Sequence, residues 1–385
     1  MRMVNYLLKM KFKFLKIKLK NFQVITCSES LVAGTNYDEV IYDIACKLYE
    51  QIEVKEAIRL LGITAGKLLK GNTINLFENT DDRKKALYNA IDSLKEKFGE
   101  KIFKVSLDGG FTCPNRDGTL SYKGCIFCSE SGSGEFTGNR ENSITNQINE
   151  QIKFLEKGVD KKYIAYFQNF TGTYGNIEHL RSVYEEAIKH PNIVGLAIAT
   201  RADCLSEEVL GLLSEFNKKT HLWIEIGLQT VNDKTAEIIN RGYKTEVFTE
   251  KMKELNKRNI KVVTHVIIGL PNENKNDVFS TIDYINEQKT WGIKLHLLYI
   301  LKNTGLFEYY KSNPFEIMKK EEYISLVTEI ISRLDKKIVT HRLTGDAPWK
   351  DLYEPKWSTD KRGILNGINK FLKEKKIYQG KERRE

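Results

Sequence analysis

The chain has 385 residues, between two and three domains' worth at roughly 150 residues each. Hydrophobic residues make up 41% and charged ones 29%, and mean hydropathy is −0.42, which excludes a disordered chain and an integral membrane protein. Lys and Arg number 61 against 51 Asp and Glu, a net charge of +10, which admits anionic partners such as nucleic acid without demanding one.

Six cysteines are too few for a disulfide scaffold. Cys113, Cys125 and Cys128 cluster, while Cys27, Cys46 and Cys204 stand apart. Positions 1–28 carry seven basic residues and no acid, but Lys9, Lys11, Lys13, Lys16, Lys18 and Lys20 interrupt the apolar core that a secretory leader needs. No run of about 18 apolar residues is present for a membrane-spanning helix. The expectation is a reduced, cytoplasmic protein with no membrane role.

Residues 1–79 read as a small α+β segment. Phe12 to Lys20 nearly alternates apolar side chains with lysine, the period of a half-exposed strand. Phe22 to Cys27 reads as a second strand and Ile58 to Ile63 as a short third. Between them Val40, Ile41, Ile44, Ala45, Leu48 and Ile52 form a helical stripe over 38–52, and 67–79 reads as a loop. A connecting helix is expected over 80–100, capped by Thr80 or Asp81, with Leu87, Ile91, Leu94 and Phe98 on one face and Gly99 at its end.

From residue 101 strands alternate with helices. Strands are expected at 103–107, 163–168, 193–199, 222–227, 261–268 and 293–300, with helices near 142–156, 177–189, 206–217, 245–258 and 275–288. Six such units imply a parallel sheet, either doubly wound or an open, partial TIM-type barrel, filling 101–305. In either form ligands gather at the carboxyl ends of the strands. An α-rich C-terminal extension over 306–385 follows: a helix at 320–334, an irregular stretch at 341–360 and a closing helix at 361–375.

The first of these strands leads into Cys113, and after eleven intervening residues comes Cys125-Ile126-Phe127-Cys128. Three thiols at the carboxyl end of the first strand sit where this architecture places its chemistry. A structural zinc site needs four ligands, so His179 or Cys204 would have to complete it. The other reading is an iron–sulfur cluster on three thiolates, with the fourth iron open to a ligand.

Here the chain resembles the radical S-adenosylmethionine (radical SAM) superfamily. Phe127 matches the aromatic residue before the last cysteine of its cluster loop. The long Cys113–Cys125 spacing resembles a narrower group, the YhcC-type proteins related to elongator's catalytic subunit. Phe103 to Thr119 and Gly124 to Ser129 look like that group almost residue for residue. So do Tyr166-Phe-Gln-Asn-Phe-Thr, Thr200-Arg-Ala-Asp-Cys-Leu, Trp223-Ile-Glu-Ile-Gly-Leu-Gln-Thr, His265-Val-Ile-Ile-Gly-Leu-Pro, Lys294-Leu-His-Leu-Leu and His341-Arg-Leu-Thr-Gly-Asp. The likeness covers about 95–382.

The resemblance implies a partial (β/α)6 barrel, a [4Fe-4S] cluster on Cys113, Cys125 and Cys128, and S-adenosylmethionine, reductively cleaved to a 5′-deoxyadenosyl radical. Gln168 and Thr171 then take the place of the family's Gly-Gly-Glu segment, which holds the cofactor's amino group. Thr200, Arg201 and Asp203 end the third strand, and the planar fork of Arg201 suits the methionine carboxylate or a substrate anion. Glu225 and Gln229 flank the end of the fourth strand, where a carboxylate suits the ribose hydroxyls. Gly269 and Leu270 match the segment beside adenine. Lys294, His296, His341, Arg342 and Asp346 are substrate-side candidates. A one-electron reductant such as flavodoxin or ferredoxin is implied, and the tie to elongator makes RNA a candidate substrate.

Residues 12–98 resemble the latter part of the little finger and clamp-binding tail of DNA polymerase IV. Lys16-Ile-Lys-Leu-Lys-Asn-Phe-Gln-Val-Ile-Thr, Ile58-Arg-Leu-Leu-Gly-Ile and Ile74-Asn-Leu-Phe carry that likeness. Thr73 to Phe77 would make a weak sliding-clamp contact, because Thr73 stands where Gln is expected. The palm and its metal-binding carboxylates are missing, so polymerase activity does not carry over and an incomplete remnant is expected. Two other classes remain open: a DNA- or clamp-tethered protein with an inert barrel, and a zinc-stabilised RNA-binding protein.

Overall fold

A computed structural model describes residues 8–21, 23–35, 46–52, 58–70, 102–132, 134, 137–155, 161–345 and 349–383. The expected connecting helix, the segment Thr73 to Phe77 and Asp346 lie outside the described residues. The chain divides into two compact units, Met1–Thr80 and Asp81–Glu385.

The first unit contains an antiparallel sheet of β1 (Leu8–Leu19), β2 (Val24–Thr35) and β3 (Ile58–Lys70) in the order β2-β1-β3. The alternation in β1 works as expected. Ile17 and Leu19 are buried against Leu48, while Lys16 and Lys20 are exposed. The outer strands run longer than the sequence suggests. β3 continues to Lys70, which pairs with Leu8, because twelve-residue β1 offers a backbone partner along its whole length.

The second unit is built on a seven-stranded parallel sheet in the order β11-β9-β8-β7-β6-β5-β4. Its strands are β4 (Phe103–Leu107), β5 (Tyr163–Phe167), β6 (Ile193–Thr200), β7 (His221–Gln229), β8 (Lys261–Ile268), β9 (Gly292–Leu297) and β11 (Val339–Arg342). A separate ribbon pairs β10 (Ile300–Leu301) with β12 (Leu352–Glu354). The sheet curls into the expected partial barrel, with one more strand than expected. β11 falls at the edge of the stretch read as irregular. It pairs Val339 and Thr340 with Gly292 and Ile293 of β9, and at four residues it is too short for its polar sequence to show a period.

Helices cover the outer face. Ser143, Asn176, Ser206, Asn232 and Asn274 accept backbone N–H groups at their helix starts. Stripes such as Val209, Leu210, Leu213 and Phe216 of the helix Glu207–Lys219 join the main core. The inner face has its own smaller apolar layer, with Ile164, Ala197, Trp223 and Val263 at its centre. Beyond that layer, toward the carboxyl ends, inward side chains become polar. A strand covered on both faces ordinarily reads as continuously apolar, so this change of character marks the site.

Candidate active site

The loop after β4 begins on a fixed anchor. Asp108 accepts from Asn169 Nδ2 at 2.6 Å, Arg140 Nε at 3.2 Å and the Gly110 N–H at 2.8 Å. After Cys113 the chain doubles back: the Leu120 N–H donates to the Pro114 carbonyl at 2.8 Å and the Gly124 N–H to the Asn115 carbonyl at 2.7 Å. Gly118 and Gly124, with φ of +94° and +72°, make turns that a side chain would strain. The eleven residues between Cys113 and Cys125 therefore close on themselves, and the long spacing brings both thiols to the wall of one cavity. The Cys128 N–H donates to the Cys125 carbonyl at 3.0 Å, which holds the third thiol one turn away.

A second loop, after β7, clasps the first. Buried Asn115 donates to the Asn240 carbonyl at 2.7 Å and reaches Cys125 Sγ at 3.5 Å. Asn240 answers with a bond to the Gly124 carbonyl at 2.6 Å. The Ile126 N–H donates to the Ile239 carbonyl at 3.1 Å. Arg116 donates to the carbonyls of Cys128, Ser129 and Glu130. The thiols are thus held in a braced, electropositive frame. A hydrogen bond from Cys128 lowers Cys125 to about 6 against the opposing effect of burial, with Arg201, Asn115 and Arg116 assisting. Cys128, the donor, is held up.

The thiols open on a cavity of about 430 Å³, the size of a small-molecule site. Its wall takes side chains from β4 through β9 and from β11, including Ser106, Tyr166, Gln168, Thr200, Glu225, Gln229, His265, Lys294, His296 and Arg342. Arg201 lines it near the thiols. Asp203 grips that guanidinium at 2.9 and 2.7 Å, and Nη1 lies 3.9 Å from Cys125 Sγ.

Glu225 lies at the floor and is fully buried. One carboxylate oxygen accepts from Lys104 Nζ at 2.9 Å and Trp223 Nε1 at 3.0 Å. The other faces the Tyr166 hydroxyl at 2.7 Å, His265 Nε2 at 2.9 Å and Lys294 Nζ. Burial raises Glu225, but Lys104 and Lys294 overcome it and hold the carboxyl well below its usual range. Burial brings Lys294 down to about 7 and His265 to about 4. Lys104 and Lys294 also lie 4.6 and 4.7 Å from the Tyr166 ring centroid.

Three family models match. The Radical SAM superfamily model covers residues 113–285, the Radical_SAM C-terminal domain covers 290–374, and the impB/mucB/samB family C-terminal domain covers 2–99. YtqA of Bacillus subtilis is 41% identical over 307 residues, which is 79% of this chain and 94% of YtqA. The chain belongs to the radical SAM superfamily. YhcC of Escherichia coli is 33% identical over 282 residues, 73% of this chain and 90% of YhcC. In fold, the archaeal Methanocaldococcus infernus Elp3 with an N-terminal deletion superposes with a TM-score of 0.56 at 18% identity, over 72% of this chain and 64% of that one. The N-terminal match agrees with the polymerase likeness of residues 12–98.

The cavity fits what radical SAM proteins carry, a [4Fe-4S] cluster and S-adenosylmethionine. Three thiols line it, the donor set that such a cluster would need. Beside them lie the Arg201 guanidinium and the Thr171 hydroxyl, which is buried, without a partner and on the wall. The side chains considered as a fourth zinc ligand are engaged elsewhere. His179 Nε2 meets the Gly109 carbonyl at 2.9 Å and Cys204 Sγ lies 3.8 Å from Asp203. Among the described residues no three His, Cys, Asp or Glu side chains converge as ligands of a single ion.

The structure brings together Phe127, Gln168, Thr171, Thr200, Arg201, Glu225, Gln229, Lys294, His296 and Arg342 with the thiols. Several of these act differently from the expectation. Glu225 faces five protein donors, so a ribose contact is not its evident task. Gln229 sits at φ +61°, and its amide nitrogen, oriented by the network, donates to the carbonyls of Gly227 and Leu228. Asp203 orients Arg201 from outside the wall. Gly269 turns the chain at φ +90°, and Leu270 packs with Phe127 and Ile126 in an apolar cluster. His341 packs edge-on against Trp291 at 5.0 Å instead of lining the cavity.

Lys104, Tyr166, His265 and Arg116 were not singled out in the sequence. The first three carried a readable signal. They share the period-two face of Ser106, Gln168, Glu225 and Lys294, and His265 is the register partner of both Gly227 and Lys294. Arg116 carried none, because its task depends on how the cysteine loop folds back.

Proposed function

We propose that this radical SAM enzyme holds its cluster on Cys113, Cys125 and Cys128 and generates a substrate radical at the far end of the same cavity. One observation supports the reading: the three thiols line the same cavity as Glu225 and Lys294. When bound, the cluster and S-adenosylmethionine supply one-electron cleavage of a carbon–sulfur bond and a 5′-deoxyadenosyl radical. Arg201, fixed by Asp203, binds a carboxylate at the thiol end, and the Thr171 hydroxyl orients an amine or hydroxyl there. The apolar cluster of Phe127, Leu270 and Leu298 excludes water from that end. Tyr166, Lys294 and His296 meet the substrate. A one-electron reductant, flavodoxin or ferredoxin, completes the reaction, and RNA is the substrate that the likeness to elongator's subunit favours.

The test is anaerobic reconstitution with iron and sulfide, reduction, addition of S-adenosylmethionine and assay of 5′-deoxyadenosine. The wild type should hold about four irons per chain and release 5′-deoxyadenosine, while Cys125→Ala should do neither. A colourless wild-type protein with one zinc per chain would overturn the reading.

A further inference from the structure

We propose that Asn115 sets how readily the cluster is reduced, by donating a hydrogen bond to the Cys125 sulfur. This rests on the radical SAM reading of the three thiols. Asn115 acts through Cys125, so it is a positioning residue and not a catalytic one.

Asn115 is 1% exposed. Its Nδ2 lies 2.7 Å from the Asn240 carbonyl, 3.4 Å from the Arg241 carbonyl and 3.5 Å from Cys125 Sγ. Carbonyl oxygens only accept, which fixes the nitrogen on this side of the amide. One N–H serves the Asn240 carbonyl. A hydroxyl could do the same with its single donor. The second N–H is what an amide adds, and the Cys125 sulfur lies within its reach.

The amide keeps this orientation at a cost. Oδ1 is buried without a hydrogen-bond partner, which opposes folding. It lies close against Gly242, which sits at φ +83° and where a Cβ would come within 2.7 Å of that oxygen. The packing therefore holds the amide from turning over. The loop supplies the rest of the placement. The Gly124 N–H donates to the Asn115 carbonyl at 2.7 Å, which returns Asn115 to the sulfur that follows it 10 positions later.

One electron from the reductant makes the cluster and its thiolates more negative by one charge. An N–H dipole aimed at a sulfur favours the more negative form, so hydrogen bonds to the sulfurs raise the potential. The effect is strongest where water is excluded, as it is around Asn115. The Arg201 guanidinium lies further off, with Nη1 at 3.9 Å from the same sulfur, and is held by Asp203. Asn115 is the nearer donor.

The test uses the reconstituted full-length protein without S-adenosylmethionine, titrated anaerobically with reductant while electron paramagnetic resonance reads the reduced cluster. Asn115→Leu keeps the size of the side chain and removes the donor. At a fixed potential it should lower the ratio of reduced to oxidised cluster about tenfold, the equivalent of about 59 mV for a one-electron couple. Asn240→Gly removes the clasp on the Gly124 carbonyl but keeps the backbone carbonyl that orients Asn115, and its midpoint should stay with the wild type. An unshifted midpoint in Asn115→Leu overturns the inference. So does an equal shift in both variants, because closure of the loop and not the N–H group would then set the potential. If Asn115→Leu takes up no cluster, the wild type decides. Pulsed resonance on its reduced cluster, with asparagine carrying heavy nitrogen at the side-chain amide, should show coupling to that nitrogen, and absence of the coupling overturns the inference. Iron content and 5′-deoxyadenosine release of the wild type report separately on the radical SAM reading. A wild type without iron fails that reading, whereas a loaded wild type with an unshifted variant fails this inference alone.

Discussion

At the scale of single residues, Glu225 decides how the barrel interior tolerates charge. It is fully buried and neutralises two lysines from distant strands on one face of the sheet, Lys104 of β4 and Lys294 of β9. Glu225→Gln keeps the shape but leaves those cations uncompensated. Breaking a buried pair costs about 3–5 kcal/mol. The lower end applies because Lys294, already brought to about 7, sheds its proton more readily than an ordinary lysine. The urea midpoint should fall accordingly. The pH dependence has a definite sign. Lys294 is lower folded than unfolded, so the penalty for burying its charge is fully present below about 7. That penalty fades as pH rises toward the ordinary lysine value of 10.5, where the unfolded chain also releases its proton. Glu225 has the opposite ordering: its stabilisation is present above its ordinary 4.5 and is lost as pH falls toward its much lower folded value. Stability should therefore climb between pH 7 and 10 in the wild type, and Lys294→Met should flatten that climb. An unchanged slope in the variant would show that other groups titrate there.

At the scale of elements, two loops define the site, and they differ in how legible they were. The cysteine spacing and its place after β4 could be read directly, because a strand end and three thiols need no tertiary information. The clasp by Asn240 could not, since nothing local ties residue 240 to residue 124. The inner face of the sheet was half-legible. Glu225, Lys294 and His296 stand out as polar residues in apolar strands, but which network they form depends on strand order and curl. β11 escaped for a different reason: four residues ending His341-Arg342 look like a loop until β9 supplies their hydrogen bonds. The clasp leads to a prediction. Asn240 holds φ +53° and bonds the Gly124 carbonyl. Asn240→Gly removes only the side-chain bond, whereas Asn240→Ala also strains the backbone by about 1 kcal/mol. Both should speed loss of cluster iron to a chelator, with alanine the faster, while the denaturation midpoint shifts little. Equal rates in all three proteins would mean that the loop is held without Asn240.

At the scale of the whole molecule, the chain joins two units with different relatives. The match to YtqA spans 94% of that protein but 79% of this chain, and the superfamily models begin at residue 113. The impB/mucB/samB model ends at residue 99. The core of the second unit is continuous from β4 to the helix Lys361–Glu374, with Val105 and Ile368 in one cluster. The described part of the first unit buries only Ile17, Leu19 and Leu48 in its own cluster. Folding free energy scales with buried apolar area, and among the described residues nearly all of that area lies in the second unit. A chain beginning at Asp81 should therefore melt within a few degrees of the full-length protein, bind the same iron and sulfide, and cleave S-adenosylmethionine at the same rate. If removal of the first unit lowers the melting temperature by ten degrees or abolishes cluster assembly, the two units share a core, and the radical SAM unit of this chain does not fold alone.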